Sequence, residues 1–394
     1  MEKNFDMTPR DKFVIGIDAS RNRSGGAKAH LIGVVNSILS MHLTHIELHV
    51  WSYHDLLDKL PDGENLVKHS NHNLEKNIFR QIYWQHFMLP QEARKVNCDI
   101  MLYTDAGAFV NYSPNVVMSR DMLSFEPGEM DRYPLSFKKI RLIFLKYIQA
   151  WSLVKANGAI FLTNYASNVI QDFTGVLSNV KIVPHGVGDN FRLENSQARN
   201  KNISNSTIKC IYVSNTAPYK HQWNVVGAIK ILRDKNYNIE LVLVGGGEGI
   251  AQRQLEEEIK KHDSKLEFIK QLEFIKHFEI PELLLKSDIF VFASSCENMP
   301  NTLIEGMAAG LKIACSSRGP MPEVLKDGGY YFDPESPVSI SRAIEQIILN
   351  PNESDEKVLR AINYSLNYSW DRCAKETLEF LDYTYKIEKL KNGI

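Results

Sequence analysis

The sequence predicts an α/β protein made of two doubly wound domains of similar size, and three observations support this prediction. Short runs rich in β-branched residues alternate with longer segments of helical periodicity, which is typical of βαβ units and parallel sheets. Most of these runs are apolar throughout, as strands covered on both faces are. The chain has 394 residues, more than one hydrophobic core normally holds.

The predicted strands divide evenly between the two halves of the chain. In the first half they are 13–18, 46–50, 99–104, 115–119, 159–163 and 180–184. In the second half they are 208–214, 239–245, 266–269, 288–293, 311–316 and 330–333. The polar stretch 193–207 has no apolar periodicity, and the segment from about Ser369 predicts an amphipathic helix. We therefore expect a Rossmann-like domain over 1–187, a linker over 188–207, a second Rossmann-like domain over 208–367 and a C-terminal helix over 368–394.

Composition and charge exclude several classes of protein. Apolar residues make up 44% and charged residues 24%, which excludes a disordered chain and a coiled coil. With 46 basic and 47 acidic residues, no overall field attracts nucleic acid or a membrane. The five cysteines form no Cys-x-x-Cys pair, so we expect no structural zinc and a reducing compartment. The polar N-terminus and the absence of a long apolar stretch predict a cytoplasmic protein.

Two glycine-rich stretches follow predicted strands. Gly25 and Gly26 lie where a helix begins near Ala27, so a ligand can approach the backbone and an anion is favoured. A simple strand-to-helix turn explains the same pair equally well. The stretch Val244–Gly249 lacks the spacing G-x-G-x-x-G, which disfavours a nicotinamide site.

The most informative motif is the segment Phe292–Gly310. Glu297 lies in a loop beyond the C-terminal end of a buried strand, where open α/β sheets bind ligands. Glu305 lies one turn inside the helix that follows, and Gly310 closes that helix. The pattern Thr302-x-x-Glu305 also fits a capping box, a purely structural role for Glu305. No comparable structural role explains Glu297.

This segment, E-N-M-P-N-T-L-I-E-G-M-A-A-G, has two glutamates separated by seven residues and resembles the signature of family 4 retaining glycosyltransferases. The resemblance covers nearly the whole chain and is strongest from residue 180 onward. Four other segments also resemble parts of the family, in the same order and spacing. Ile182–Val187 resembles the interdomain segment, and Tyr212–Lys220 resembles the phosphate-contacting strand and loop. Leu243–Gly247 resembles the second-domain glycine turn, and Tyr368–Asp371 resembles the entry to the last helix.

The resemblance implies a glycosyltransferase-B fold, in which two Rossmann-like domains face a cleft and the last helix crosses back to the first domain. A nucleotide sugar would bind mainly to the second domain and the acceptor mainly to the first. Glu305 would then bind the ribose, Glu297 the donor sugar and Lys220 the diphosphate. Gly25 and Gly26 would lie on the donor, and backbone N–H groups near the sugar and phosphates would come from Asn301, Thr302 and Leu303. A fixed ammonium and a helix N-terminus stabilise a leaving diphosphate, so no metal or other cofactor is expected.

The sequence departs from the family pattern at two positions. Asn215 takes the place of an arginine that binds the diphosphate, and Arg21, Arg23 or Lys28 are candidates to supply that charge. Arg120 takes the place of a first-domain histidine, so a histidine role does not transfer. Arg120 is either a catalytic-site group that binds a phosphate or an acidic acceptor, or a surface or structural arginine.

Three further features each allow a structural and a functional interpretation. His30 and His185 fall near the predicted cleft, as structural residues or as an acid–base pair. The histidines of 69–72 have no metal-like spacing and predict a solvated loop. The segment Phe137–Asn157 is basic and amphipathic, which fits either peripheral contact with an anionic membrane or a core helix with a solvated basic face.

By this resemblance the chain is a retaining glycosyltransferase. It would move a hexose-type sugar from UDP or GDP to a hydroxyl of a glycan or lipid-linked glycan, in surface polysaccharide assembly. It would act in the cytoplasm or peripherally on the inner face of the membrane, without nucleic acid. The alternatives are a nucleotide-sugar epimerase of the same architecture and a non-catalytic nucleotide-sugar or carbohydrate-binding protein.

Overall fold

The structure, a computed structural model, describes residues 12–192, 207–391 and 393, and these residues form two parallel sheets. The first sheet has the strand order β3-β2-β1-β4-β5-β6-β7. Its strands are β1 (Phe13–Asp18), β2 (Ile46–Ser52), β3 (Leu66–Ser70), β4 (Ile100–Tyr103), β5 (Asn115–Met118), β6 (Gly158–Phe161) and β7 (Val180–Ile182). Strands β4, β5 and β6 are buried along their whole length, as expected for strands covered on both faces.

Helices connect these strands on both faces of the first sheet. They are α1 (Gly25–Ser40), α2 (His54–Leu57), α3 (Ile78–Tyr83), α4 (Leu89–Lys95), α5 (Phe137–Lys155) and α6 (Asn164–Thr174). A π-helical turn, Trp84–Met88, joins α3 to α4.

The second sheet repeats the doubly wound pattern with the order β10-β9-β8-β11-β12-β13. Its strands are β8 (Ile208–Val213), β9 (Ile239–Val244), β10 (Ile269–Leu272), β11 (Ile289–Phe292), β12 (Lys312–Ser316) and β13 (Tyr330–Phe332). The helices are α7 (Gln222–Asp234), α8 (Ile250–His262), α9 (Ile280–Leu285), α10 (Asn301–Ala308), α11 (Met321–Leu325), α12 (Pro337–Leu349), α13 (Pro351–Ser365) and α14 (Trp370–Lys391). Two parallel-sheet, Rossmann-like domains confirm the predicted fold class.

The direction of winding reverses between β1 and β4 in the first sheet and between β8 and β11 in the second. Ligands of open parallel sheets bind in the crevice at such a reversal, beyond the C-terminal ends of the strands. The two crevices face each other, since Ser295 Oγ after β11 donates to Glu129 Oε1 of the first half at 2.6 Å. Thr163 Oγ1 likewise donates to the carbonyl of Asn298 at 3.0 Å.

Helix α14 returns to the first half of the molecule and packs on α1 and on the first sheet. A Cβ atom on Gly33 would overlap the ring of Trp370, so α1 and α14 approach as closely as they do only because residue 33 has no side chain. Gly186 likewise touches the backbone at Ser369 and Trp370. Most of the linker predicted over 188–207 lies outside the described residues.

Two strands differ from the prediction. Strand β3 was missed because it is a short edge strand in which Leu66 alone is buried. It includes His69, which stacks on Trp51 at 4.5 Å and hydrogen-bonds His49, so the interpretation of residues 69–72 as a solvated loop was wrong for His69.

Strand β10 begins three residues later than predicted. The carboxylate of Asp263 accepts the N–H groups of Glu267, Phe268 and Ile269 at 2.7–2.8 Å. With Leu266 at φ +55°, these bonds make 264–268 a turn. An Asp at the end of a helix can bind the backbone in this way and so competes with strand formation.

Candidate functional site

The first-domain loop after β1 is held by two buried polar residues. Asp18 accepts hydrogen bonds from Ser20 N at 3.0 Å and from the Gln85 amide. Asn22 accepts the Thr104 hydroxyl at 2.9 Å, and its carbonyl accepts from Tyr53 at 2.7 Å. Burial raises the pKa of Asp18 above its ordinary value. These bonds fix the loop that leads into α1.

The predicted glycine pair lies at the first two positions of α1. Ser24 caps this helix by accepting the Ala27 N–H at 3.3 Å. A Cβ atom on Gly26 would lie 3.3 Å from Asn301 Nδ2 at the start of α10, whereas one on Gly25 would meet nothing within 4 Å. Gly26 therefore lies where the first-domain loop comes close to the second-domain helix.

In the second domain, Lys220 and Glu297 are brought together as an ion pair. Lys220 lies in the short 3-10 turn 218–220 after β8, and its ammonium lies beside the Tyr219 ring. Glu297 lies in the loop after β11, as the sequence predicts. The two loops are tied together because Ser295 N donates to the carbonyl of Tyr219 at 2.8 Å. Both charged side chains are nearly buried, so each depends on the other or on a ligand for compensation.

Glu305 lies on α10, the helix that follows the loop of Glu297. Its Oε1 forms a 2.9 Å hydrogen bond with His277 Nε2, and its buried Oε2 has no partner among the described residues. Burial raises the pKa of Glu305, and the bond to Glu305 raises the pKa of His277. The possible capping box is absent, since the N-cap of α10 is Pro300 and no side chain caps it. An unpartnered buried carboxylate oxygen suits a ligand hydroxyl.

The N-terminus of α10 carries the three predicted backbone donors. The N–H of Asn301 donates to the carbonyl of Met299, and that of Leu303 to the carbonyl of Pro300, both at 3.0 Å. An anion at this helix end would therefore compete with, or share, two existing hydrogen bonds. Thr302 lies between them and is half-buried.

Arg120 follows β5, and its side chain is only 8% exposed, which excludes the surface alternative. Its Nη2 donates to Asn22 Oδ1 at 2.6 Å and lies 3.7 Å from Asp105 Oδ2. Its Nε and Nη1 have no acceptor among the described residues. Burial lowers the pKa of Arg120, which nonetheless stays charged because a guanidinium titrates far above neutrality. The arrangement offers two free donors on a buried cation, which suits a phosphate or carboxylate.

His30 and His185 stack on each other next to Arg120, with ring centroids 4.4 Å apart and Trp370 at the edge. Burial, reinforced by the charge of Arg120, lowers the pKa of His185 to about 3. Burial also places the pKa of His30 well below its usual range. Burial thus disfavours protonation of either ring, and the buried, stacked pair fits the structural interpretation better than an acid–base role.

The three candidates for the missing family arginine differ in their surroundings. Arg23 lies 3.7 Å over the ring of Tyr53 and donates to a backbone carbonyl, and Lys28 pairs with Asp55 at 3.4 Å. Arg21 instead lies 3.9 Å from Asp105, the carboxylate that also pairs with Arg120. Of the three candidates, Arg21 is thus the one that lies with Asp105 and Arg120.

The second glycine-rich stretch supports the loop after β8. A Cβ atom on Gly245 would overlap the carbonyl of Ser214, and one on Gly247 would overlap that of Thr216. Gly245 also has φ +117°, which favours glycine. The glycines therefore serve close packing of two loops. Asn215, at the place of the family arginine, is exposed.

Sequence reasoning missed two groups near the site. His277 binds Glu305 from 28 residues away along the chain, and Glu129 reaches Ser295 from the other half. No local pattern marks either residue. Among the described residues, no group of three metal-binding side chains is arranged to hold a metal ion.

A polar contact between the halves lies beside the cleft. Glu323, the middle residue of α11, accepts the backbone N–H groups of Asn164 and Tyr165 at 2.8 Å, where α6 begins. Arg132 of the first half donates to Glu335 at 2.8 Å. A carboxylate from one half thus binds the positive end of a helix in the other.

Comparison with known proteins agrees with this architecture. Residues 194–365 match the family model described as glycosyl transferases group 1. The O-antigen chain mannosyltransferase B of Escherichia coli is 25% identical over 171 residues, which are 43% of this chain and 44% of that protein. The spore coat protein SA of Bacillus subtilis is 36% identical over 116 residues, 27% of this chain and 30% of that protein. The matched stretch thus spans less than half of either relative.

Solved structures match over nearly the whole chain. The sucrose-phosphate synthase of Thermosynechococcus elongatus has a TM-score of 0.74 at 12% identity and covers 95% of this chain and 100% of its own. HepE of Anabaena in complex with UDP-glucose has a TM-score of 0.72 at 16% identity, covering 94% and 99%. At these identities the likeness concerns the fold, which is glycosyltransferase-B.

Proposed function

We propose that this chain, which has the glycosyltransferase-B fold and whose residues 194–365 belong to the glycosyl transferases group 1, is a retaining glycosyltransferase. The substrates are a UDP- or GDP-linked hexose and a hydroxyl of a glycan or lipid-linked glycan. The observation that carries the proposal is one constellation: the Lys220–Glu297 ion pair, and Glu305 on the adjoining helix with an unpartnered oxygen.

Donor binding follows from this constellation. Glu305 Oε2 accepts a ribose hydroxyl, while His277 holds the other carboxylate oxygen in place. Lys220 exchanges its partner Glu297 for the diphosphate, and Glu297 turns to hydroxyls of the donor sugar. The N-terminus of α10, with Asn301, adds partial positive charge at the phosphates. UDP-glucose in the structure of HepE supports a nucleotide diphosphate sugar as the donor class.

The proposed chemistry is displacement on the face of the leaving group. The acceptor oxygen bonds to the anomeric carbon, and the bond from that carbon to the diphosphate oxygen breaks with its electron pair going to the diphosphate. The acceptor proton passes to the leaving phosphate oxygen. Lys220 stabilises the charge that develops on the diphosphate, without a metal in the proposed reaction. Arg120, with two free donors, holds an anionic group of donor or acceptor beside the reacting atoms.

The cellular role proposed is assembly of a surface polysaccharide in the cytoplasm. The name of the relative O-antigen chain mannosyltransferase B supports the acceptor class. All five cysteines are buried free thiols, which suits a reducing compartment. Within the described ranges, none of the helices has the length and apolar character that a membrane crossing requires.

The test measures nucleoside diphosphate release from UDP-glucose and from GDP-mannose, with and without a glycan acceptor. Acceptor-dependent release with one donor, and an α-linked product from an α-linked donor, are expected. Conversion of the donor sugar without acceptor would indicate the epimerase instead. Thermal stabilisation by UDP or GDP without any release would indicate a binding protein.

A further inference from the structure

Helix α5 has two apolar faces. One is buried against the first domain through Leu142, Ala150 and Leu153. The opposite side exposes a second apolar stripe at helical spacing: Ile140, Ile143, Phe144, Tyr147, Trp151 and Val154. A surface helix normally shows polar residues opposite its buried face. The exposed side of α5 is therefore not the solvated basic face that the sequence allowed.

Neighbouring residues enlarge the stripe into a patch. Leu135 and Phe137, just before and at the start of α5, are 94% and 83% exposed. At the end of α6, Phe173 packs edge-on against Tyr147 at 5.8 Å, and Val176 beyond it is 94% exposed. We call α5 together with Leu135, Phe173 and Val176 the α5 surface. Contiguous exposed apolar patches of this kind mark interaction sites.

The positive charge on α5 indicates that this surface fits an anionic partner. The helix contains no Asp or Glu and five basic residues: Lys138, Lys139, Arg141, Lys146 and Lys155. The chain as a whole has a net charge of only -1. By helical position, Arg141 lies on one side of the apolar stripe and Lys139 and Lys146 on the other.

The acidic groups nearest this surface leave most of that charge unbalanced. Asp131 pairs with Lys139 at 3.1 Å, and Asp172 lies next to Phe173 in the sequence. The ammonium of Lys146 lies 4.2 Å over the Phe173 ring rather than on a carboxylate. An apolar aromatic stripe between two basic borders fits a surface with phosphates above and acyl chains below.

We propose that the α5 surface docks on an anionic phospholipid bilayer, with α5 lying in the plane of the membrane. The aromatic side chains enter the boundary between head groups and acyl chains, and the basic residues contact lipid phosphates. The turn 129–132, which precedes α5, contacts Ser295 across the cleft. This short turn connects the α5 surface to the contact between the two halves. Membrane docking goes beyond the proposed transfer and is tested separately from it.

The experiment is co-sedimentation of the full chain with unilamellar vesicles. Binding is expected to vesicles of phosphatidylglycerol and phosphatidylcholine in equal parts, to weaken with added salt, and to be absent with phosphatidylcholine alone. The double variant Phe144→Ser with Trp151→Ser is expected to lose at least about tenfold in vesicle affinity. Arg141→Glu with Lys155→Glu, which reverses two exposed charges on the same side of the stripe, should do the same.

Matched controls come from the second domain. Leu359→Ser with Leu366→Ser removes two exposed apolar side chains elsewhere, and Lys260→Glu with Lys265→Glu reverses two exposed charges elsewhere. Both should bind vesicles like the wild type. Because the altered side chains are exposed, all variants should keep the wild-type melting temperature.

A spectroscopic readout separates a membrane from another partner. Trp151 is the one exposed tryptophan of the five, all of which lie in the described residues. Its emission should shift to the blue on addition of anionic vesicles. Wild-type protein that ignores both vesicle types would overturn the proposal. So would concentration-dependent dimerisation, abolished by Phe144→Ser with Trp151→Ser, in place of vesicle binding.

Discussion

At the scale of single residues, the proposed site depends on two carboxylates whose partners differ. Glu305 is buried, and its pKa is raised, yet one of its oxygens has no partner among the described residues. Such a group costs stability in the absence of a ligand. Glu297 is compensated by Lys220, a cation that the proposed diphosphate would draw away. The two glutamates should therefore respond differently to substitution.

Glu305→Ala should cut kcat/KM for the donor at least tenfold, about 1.4 kcal/mol, mainly by weakening donor binding. Glu297→Ala should lower turnover by a similar factor with donor binding less affected, because Glu297 contacts the sugar whose bond is broken. Steady-state kinetics and thermal shift with UDP and GDP measure the two effects. Glu282→Ala, at an exposed position, is the control. Wild-type turnover in both site variants would defeat the assignment.

His185 makes the stability of the protein depend on pH. Its pKa is lowered to about 3 in the folded state. Below about pH 6.5 the histidine is therefore protonated in the unfolded state but stays neutral in the folded state, which favours unfolding. Its contribution is present above pH 6.5 and falls by about 2 kcal/mol by pH 5. Urea unfolding of wild type and His185→Asn at pH 7 and pH 5 measures it. Between pH 7 and pH 5 the free energy of unfolding should fall more in the wild type than in His185→Asn. Equal decreases in the two proteins would contradict the prediction.

At the scale of elements, apolar periodicity predicted the strands that are buried on both faces. It failed for a strand with little burial and for a strand whose start is set by side-chain hydrogen bonds. Central strands such as β4 and β11 are buried on both faces, so their sequences are diagnostic. Edge strand β3 was missed because burial gives it little signal, and β10 shifted because Asp263 binds the backbone before it. The positions of Glu297 after β11 and of Glu305 on α10 were predictable from local spacing, whereas the contact of His277 with Glu305 depends on tertiary structure.

The contact between α1 and α14 gives a sharp stability prediction. A Cβ atom at residue 33 would overlap the Trp370 ring, so Gly33→Ala should lower the free energy of unfolding by about 1–3 kcal/mol. This loss should appear despite the better helix propensity of alanine. Gly25→Ala in the same helix meets nothing within 4 Å and is the matched control. Urea denaturation decides, and equal stability of both variants would contradict the packing argument.

At the scale of the whole molecule, the two halves are joined across the cleft by polar contacts. Glu323 binds the N-terminus of α6, Arg132 pairs with Glu335, and Ser295 binds Glu129. Polar contacts exchange readily with water, unlike a large apolar interface. We call the arrangement in which these contacts are formed the closed form, and loss of one partner should favour an open form in which they are broken.

Glu323→Ala should shift the balance between closed and open forms by about 1 kcal/mol, roughly fivefold, because a carboxylate at a helix N-terminus is lost. Small-angle X-ray scattering of the donor-free variant should give a larger radius of gyration than the wild type. Addition of the nucleotide that stabilises the wild type should reduce it again. Glu356→Ala, exposed on α13, is the control. An unchanged radius in Glu323→Ala would contradict the prediction.

The return of α14 to the first half also governs how the molecule can be dissected. A fragment cut after β7 would lack the helix that covers Gly33 and the adjoining side of α1. That fragment should aggregate, since an apolar seam would face water. Grafting Trp370–Lys391 behind it through a flexible tether should yield a soluble half-molecule. The first domain, as a folding unit, is thus discontinuous in sequence, assembled from both ends of the described chain.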